Sequence, residues 1–241
     1  MRDAFLRNAL VKGFLIMIGI ITATKEEFAA LNQALNTNKT GIMNFTRGML
    51  GGKQVAGVQA GIGKVNAALC AQTMIDRFRP EAIVNVGVAG SLSDDLKVGD
   101  LVISRDAVQH DFDASFFGQE WWKQFGMETI EFKADEKLVS AADRAADKLG
   151  YAHEVGRIVS GDQFICTWEK KKELGDKFQA QCCEMEGAAI AQVSFLNRIP
   201  FVVIRAISDG ADDEAGQSYM DFGTFAAQRA VKLIQAMLEE M

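Results

Sequence analysis

The sequence predicts an α/β protein in which helices cover a largely parallel β-sheet. One observation is that short apolar runs alternate with segments of helical periodicity along the chain, the pattern of β–α–β units. A second is composition: of 241 residues, 49% are apolar and 24% charged, a balance typical of globular rather than disordered proteins. Since no linker or internal repeat interrupts the alternation, one domain is expected over residues 14–241.

Eight apolar runs are short enough to be strands of a buried sheet; they span 14–22, 42–50, 54–60, 81–87, 100–108, 155–160, 180–185 and 200–207. Six further segments place apolar residues at the three- and four-residue spacing of a helix; they span 25–36, 63–79, 135–149, 168–178, 187–197 and 219–240.

The start of the chain has two interpretations. The apolar run 14–21 follows three basic residues and superficially resembles a secretory signal, but it is too short to span a membrane. After it, Thr24 and Glu27 have the spacing of a capping box, which predicts a strand, a turn and a helix start. Residues 1–13 are then an N-terminal extension, and a cytoplasmic protein is expected.

Charge and cysteine content exclude several classes of protein. The net charge of −6 argues against nucleic-acid binding, which requires clustered basic residues. The four cysteines show no CxxC spacing, and only two histidines are present, so neither a disulfide scaffold nor a metal site is expected. His110, Asp111 and Asp113 offer possible ligand atoms, but a structural or loop role is favoured.

Residues 109–131 form the least regular stretch and contain six aromatic side chains. Aromatic-rich loops of this length are usually interfaces or ligand covers, although a small satellite core under the loop is the alternative.

Four strand ends have polar or glycine-rich sequences, and ligands bind at the carboxyl ends of strands in such sheets. Residues 60–66 suggest a phosphate turn, yet they match neither the P-loop nor the dinucleotide pattern. Residues 85–91 form a second glycine turn. Glu184 and Glu186 are two residues apart at a strand-to-helix switch, which indicates ligand contacts or a helix N-terminus. The strongest segment is the apolar strand that contains Arg205 and ends in Ser208 and Asp209.

Taken together, these motifs resemble the 5'-methylthioadenosine/S-adenosylhomocysteine nucleosidases of the purine nucleoside phosphorylase-like superfamily. The resemblance runs from about residue 16 to the C-terminus and rests on five motifs in the same order: 19–21 with 26–27, 61–65, 159–165, 184–187 and 205–209. It implies a three-layer α/β/α domain with a mixed central sheet.

The resemblance also implies residue roles. Glu27 matches the glutamate that activates the attacking water, and Asp209 matches the acid that protonates adenine N7. Glu186 matches the residue that holds the ribose hydroxyls. The other matched positions line the substrate site: Ile62 and Tyr219 at the 5' substituent, Phe164 and Ile165 at adenine, Met185 at the sugar and Ser208 beside the acid.

The implied reaction is hydrolysis of the N-glycosidic bond of 5'-thio-substituted adenosines, in methionine salvage. The substrates are 5'-methylthioadenosine, S-adenosylhomocysteine and, as an extension, 5'-deoxyadenosine. Such chemistry needs a leaving-group acid and a water-activating base, and no cofactor. The implied partner is a second copy of the chain in a homodimer, with neither nucleic acid nor membrane.

Four features depart from the family pattern and concern the 5' substituent. Val88 replaces a serine, Thr24 replaces a methionine, Tyr219 replaces a phenylalanine, and residues 118–130 lack the usual Pro-Gly pattern.

Three alternatives remain at this point. A phosphorylase of the same fold would need a cation and a hydroxyl at 85–88, where the sequence has Asn85 and Val88. A hydrolase of a modified futalosine shares the motifs. A non-catalytic nucleoside-binding module would not require Glu27.

Overall fold

Ten β-strands form one mixed sheet in the computed structural model, which describes residues 17–32, 35–37, 43, 45–118, 123 and 126–241. The predicted extension 1–13 lies outside the described residues, as do Trp121, Trp122 and Phe125 of the aromatic-rich segment. In the described part of the chain, no helix is both long and apolar enough to cross a membrane.

The strands in chain order are β1 Met17–Thr22, β2 Leu35–Thr37, β3 Phe45–Leu50, β4 Lys53–Gln59, β5 Ala82–Ser91, β6 Leu101–Gln109, β7 Phe132–Lys133, β8 His153–Ser160, β9 Ala180–Glu184 and β10 Phe201–Asp209. The helices are α1 Lys25–Asn32, α2 Lys64–Phe78, α3 Glu136–Leu149, α4 Trp168–Phe178, α5 Gly187–Asn197 and α6 Ala215–Glu239, with a 3₁₀ turn at Ser115–Phe117.

Strand β5 is the centre of the sheet because it has three neighbours. Its first half pairs with β1, its end pairs with β9, and β10 lies along its other edge. The remaining pairs β10–β6, β6–β8 and β8–β9 complete a closed ring of five strands, from which β1, β4, β3 and β2 extend. The ring brings the ends of β5, β8, β9 and β10 close together.

The expected sheet flanked by helices is confirmed, with three corrections. Residues 85–91, predicted as a glycine turn, belong to β5. Parallel pairing is less dominant than predicted: β1–β4, β1–β5, β5–β10, β6–β8 and β8–β9 are parallel, and the other five pairs are antiparallel. The helix predicted over 25–36 ends at Asn32, and β2 follows it. Pairing with β3 decides the conformation of 35–37, and local periodicity carries no signal for it.

Alternation along the strands separates two apolar layers. Ile18, Ile20 and Leu31 belong to the layer under α1, α3 and α6, whereas Ile21 and Met74 belong to the layer under α2 and α5. Successive side chains of a strand point to opposite faces, so one apolar strand contributes to both layers. Helices therefore cover both faces of the sheet.

The turn between β3 and β4 generates the first prediction. Gly51 and Gly52 both have positive φ, +53° and +75°. A Cβ on Gly51 would lie 2.6 Å from the Gln235 carbonyl oxygen and 2.7 Å from Leu238 Cβ in α6, whereas one on Gly52 would meet nothing within 4 Å. Gly51→Ala should therefore lower the free energy of unfolding by about 2–5 kcal/mol, from backbone strain plus overpacking.

Gly52→Ala is the matched control, and backbone strain alone should cost it about 1 kcal/mol. Urea unfolding of both variants measures the difference. Equal losses in the two variants would show that α6 does not pack closely on this turn.

Candidate active site

Three buried carboxyl side chains lie beside β5, β9 and β10. Glu27 lies in the first turn of α1, Glu186 directly precedes α5, and Asp209 is the last residue of β10. Each is less than one-tenth exposed. Because burying a carboxyl group is unfavourable unless it has hydrogen-bond partners, each should be held by specific donors.

Glu27 is held by the capping box that the sequence predicts. Its Oε2 accepts hydrogen bonds from the amides of Ala23 and Thr24 at 2.8 and 3.0 Å, and its own amide donates to Thr24 Oγ1 at 3.2 Å. Oε1 accepts from the amide of Val88 in β5 at 3.2 Å. This side chain therefore connects the start of α1 to the central strand.

A buried ion pair lies behind the three carboxyl groups. Arg205 of β10, 1% exposed, donates through Nη2 to Glu184 of β9 and, at 2.5 Å, to Asn85 Oδ1 of β5. Glu184 also accepts from the Ser160 hydroxyl and from the amide of Gly187. Glu184 is thus an internal partner of Arg205. Of the two glutamates that the sequence places near a ligand, only Glu186 remains available to contact one.

Glu186 reaches across to the glycine turn before α2. Its Oε1 accepts from the amide of Gly63 at 2.8 Å. Burial, followed by the negative charge of Glu184, raises the pKa of Glu186 to about 8, although Arg205 and the Gly63 amide oppose this effect. When it is protonated, this carboxyl group can both donate and accept hydrogen bonds.

Asp209 is buried at the end of β10, beside β5. Its Oδ2 accepts from the Ser208 hydroxyl at 2.7 Å and its Oδ1 from the Ala211 amide at 2.9 Å. Burial raises the pKa of Asp209 above its usual range, and these hydrogen bonds reduce the shift. An aspartic acid with a raised pKa is suited to donate a proton.

The glycine turn at 61–64 has a structural lysine. Lys64 Nζ pairs with Asp111 at 2.6 Å and donates to Gln109 Oε1 at 3.0 Å, while its amide donates to Asp162 Oδ1 at 2.7 Å. Lys64 is therefore already paired within the protein, and Asp111 has a structural role. In the described part of the chain, no group of three His, Cys, Asp or Glu is placed to hold a metal ion.

The other sequence-predicted residues differ in their surroundings. Phe164 is about half exposed and meets Tyr219 of α6 edge-on, with ring centroids 6.0 Å apart. Ile165 is buried, Met185 is partly buried, and Ile62 is exposed next to the glycine turn. Sequence reasoning missed Ser160 and the paired role of Glu184, although both lie within the motifs quoted above.

The fold and this arrangement define a member of a nucleoside-processing class. The model of the phosphorylase superfamily matches residues 17–239. A 5'-methylthioadenosine/S-adenosylhomocysteine nucleosidase of Staphylococcus haemolyticus is 39% identical over 227 residues, covering 92% of this chain and 99% of that protein. At this identity and coverage, the chain belongs to the 5'-methylthioadenosine/S-adenosylhomocysteine nucleosidase family of that superfamily.

Solved structures agree with this assignment. The nucleosidase of Neisseria meningitidis in complex with methylthio-immucillin-A is similar with a TM-score of 0.89 and 36% identity, covering 94% of this chain and 100% of that one. The futalosine hydrolase of Helicobacter pylori is similar with a TM-score of 0.87 and 33% identity, covering 95% and 100%. The expected mixed-sheet fold is that of these neighbours.

The raised pKa of Glu186 generates a prediction about stability. A carboxyl group with a raised pKa in the folded state favours folding most when the pH is below its ordinary pKa. This contribution is lost as the pH rises from the ordinary pKa toward the folded-state pKa. The free energy of unfolding of the parent should therefore decrease as the pH rises from the ordinary glutamate pKa to about 8.

Glu186→Gln cannot ionise yet keeps an oxygen for the Gly63 amide, so its free energy of unfolding should fall less between about pH 5 and about pH 9. Denaturant unfolding at both pH values measures this. Glu81→Gln, at an exposed position, is the control and should follow the parent. A Glu186→Gln variant that parallels the parent would contradict the raised pKa.

Proposed function

We propose that the protein hydrolyses the N-glycosidic bond of 5'-thio-substituted adenosines, such as 5'-methylthioadenosine and S-adenosylhomocysteine, and releases adenine. The observation that carries this proposal is the placement of Glu27 and Asp209 along β5. Glu27 contacts Val88 and Asp209 lies against Gly90, so about 7 Å of strand separates the two contacts. The two carboxyl groups are thus held at different points along β5, and the proposal places the sugar and a water between them.

Each carboxyl group then has a chemical role. Asp209, with its raised pKa, donates a proton to adenine N7 and makes the base a better leaving group. Glu27 accepts a proton from the attacking water on the other side of the sugar. Glu186 binds the ribose 2'- and 3'-hydroxyls and keeps the reacting atoms aligned.

The remaining proposed contacts position the substrate. Phe164 stacks on adenine, the backbone of Ile165 contacts the base edge, and Ser208 orients Asp209 through the 2.7 Å hydrogen bond. Met185 packs against the sugar. Ile62 and Tyr219 line the 5' substituent.

Water rather than phosphate is the proposed nucleophile because of what surrounds Gly87. A Cβ on Gly87 would lie 2.6 Å from Glu27 Oε1, so a carboxylate already occupies the space over this part of β5. Arg205, the nearby cation, is paired with Glu184, and Asn85 is bonded to Arg205 and to the Ile21 carbonyl. An added phosphate would meet a like charge here.

The similarity to a futalosine hydrolase favours a second candidate substrate class on the same site. Both reactions are N-glycosidic hydrolysis, so Glu27, Glu186 and Asp209 keep their roles and only the 5' substituent differs. Adenine release from a series of 5'-substituted adenosines and from a futalosine-type nucleoside distinguishes the two.

We further propose that the reaction serves methionine salvage in the cytoplasm. The four cysteines are unpaired thiols, and Cys70, Cys182 and Cys183 are buried, which suits a reducing compartment.

A homodimer is also proposed, from an apolar surface on α2 and α5. Ile62, Val65, Leu69 and Leu196 are 56%, 78%, 58% and 66% exposed. Asn197 donates to Gln72 at 2.9 Å and so holds the two helices side by side. Exposed apolar residues of this kind indicate a protein interface, and Phe116 in the 3₁₀ turn is also almost fully exposed.

The proposed reaction is tested by detecting adenine from 5'-methylthioadenosine in phosphate-free buffer, together with a free thioribose. Asp209→Asn keeps the shape of the side chain but cannot donate the proton, so single turnover should slow by about 10²–10⁴-fold. Substrate affinity should change much less, because the lost interaction belongs to the transition state.

A thermal midpoint of the same Asp209→Asn sample is the control for folding. Accumulation of a ribose 1-phosphate that depends on added phosphate would contradict hydrolysis. A folded variant with nearly normal turnover would assign the acid to another residue.

Leu69→Asp should disrupt the dimer, because it places a charge in an apolar interface. Sedimentation at micromolar concentration should give twice the chain mass of 26.3 kDa for the parent and a lower value for the variant. Val98→Asp, at an exposed apolar position remote from α2, is the control. A fully active parent of single-chain mass would rule out the dimer.

A further inference from the structure

Tyr219 is held at the mouth of the site by two contacts. The hydroxyl of the preceding residue, Ser218, donates to the Ser208 carbonyl at 2.9 Å and fixes the start of α6 against the end of β10. The Tyr219 ring meets Phe164 edge-on, at 6.0 Å and 79°. The phenol therefore has a defined position relative to the residues proposed to bind adenine.

Burial and nearby carboxyl groups both act on the Tyr219 phenol. Burial raises its pKa most, followed by Glu27, Glu26, Glu186 and Asp209 in that order. Glu26 and Glu27 are on α1, which packs against α6, the helix that carries the phenol. The phenol stays protonated and is a hydrogen-bond donor.

No hydrogen bond among the described residues uses this hydroxyl, so its proton is free for a ligand. A bound nucleoside removes water from the half-buried phenol, and a donor left without an acceptor is then destabilising. A thioether sulfur is a weak acceptor, whereas an ether or hydroxyl oxygen is a good one. An anionic group beside the phenol would be repelled by Glu26 and Glu27.

We infer that Tyr219 is a specificity-determining residue that donates a hydrogen bond to a neutral oxygen on the 5' substituent. The inference rests on the proposed function and narrows its substrate class. The site accepts 5'-oxygen-substituted adenosines, such as 5'-O-methyladenosine, beside the 5'-thio compounds. The preference for an oxygen over a sulfur acceptor comes from the Tyr219 hydroxyl, so it should disappear when that hydroxyl is removed.

The test compares 5'-O-methyladenosine with 5'-methylthioadenosine, which differ only in the atom at the 5' position. In Tyr219→Phe, the ratio of kcat/KM for the oxygen compound to that for the sulfur compound should fall about tenfold, the worth of one ordinary hydrogen bond. A ratio cancels any general loss of activity or folded fraction.

Tyr151→Phe is the matched control, because Tyr151 is the other tyrosine of the chain and its ring packs under Arg229 at 3.9 Å. This variant should keep the parent ratio. An unchanged ratio in Tyr219→Phe would overturn the inference while adenine release still supports the proposed hydrolysis. Release of adenine from neither substrate by the parent would instead contradict the proposed function, and the inference with it.

Discussion

The buried ion pair between Arg205 and Glu184 joins four strands of the sheet. Arg205 is on β10 and Glu184 on β9, and Asn85 of β5 and Ser160 of β8 bond to the same pair. Removing both charges from water is costly, and only a full set of hydrogen bonds offsets that cost. Loss of one partner would leave a buried charge, which costs about 3–5 kcal/mol. The relative position of these four strands therefore depends on this pair.

The pair also sets the electrostatics of the site. Glu184 neutralises much of the charge of Arg205, so Glu186, two residues further on, keeps a raised pKa although a guanidinium lies nearby. Small residues make this crowding possible. A side chain at Gly87 would displace Glu27, and one at Gly90 would come within 2.7 Å of Asp209 Oδ1. Glycine at both positions lets the carboxyl groups lie directly on β5.

Much of the fold could be predicted from local pattern. Apolar runs and helical periodicity located six helices and eight strands, because both signals repeat within a few residues of sequence. The two- and three-residue strands β7 and β2 have no such repeat, and their conformation depends on pairing with β6 and β3. The local pattern did not predict the closed ring either, because pairing between β5 and β10 joins segments more than a hundred residues apart.

The sequence by itself determined the α/β class, the capping box that holds Glu27 and the motifs that contain Glu186 and Asp209. These features are local, because neighbouring residues on the chain create them. Only the tertiary structure decided which carboxylate meets Arg205, which donors hold each acid and what charge surrounds Tyr219. Glu184 and Glu186 are the same residue type and are equally buried, but only Glu184 contacts the Arg205 guanidinium. Electrostatic energy depends on distance and burial in the folded chain, and spacing along the sequence specifies neither.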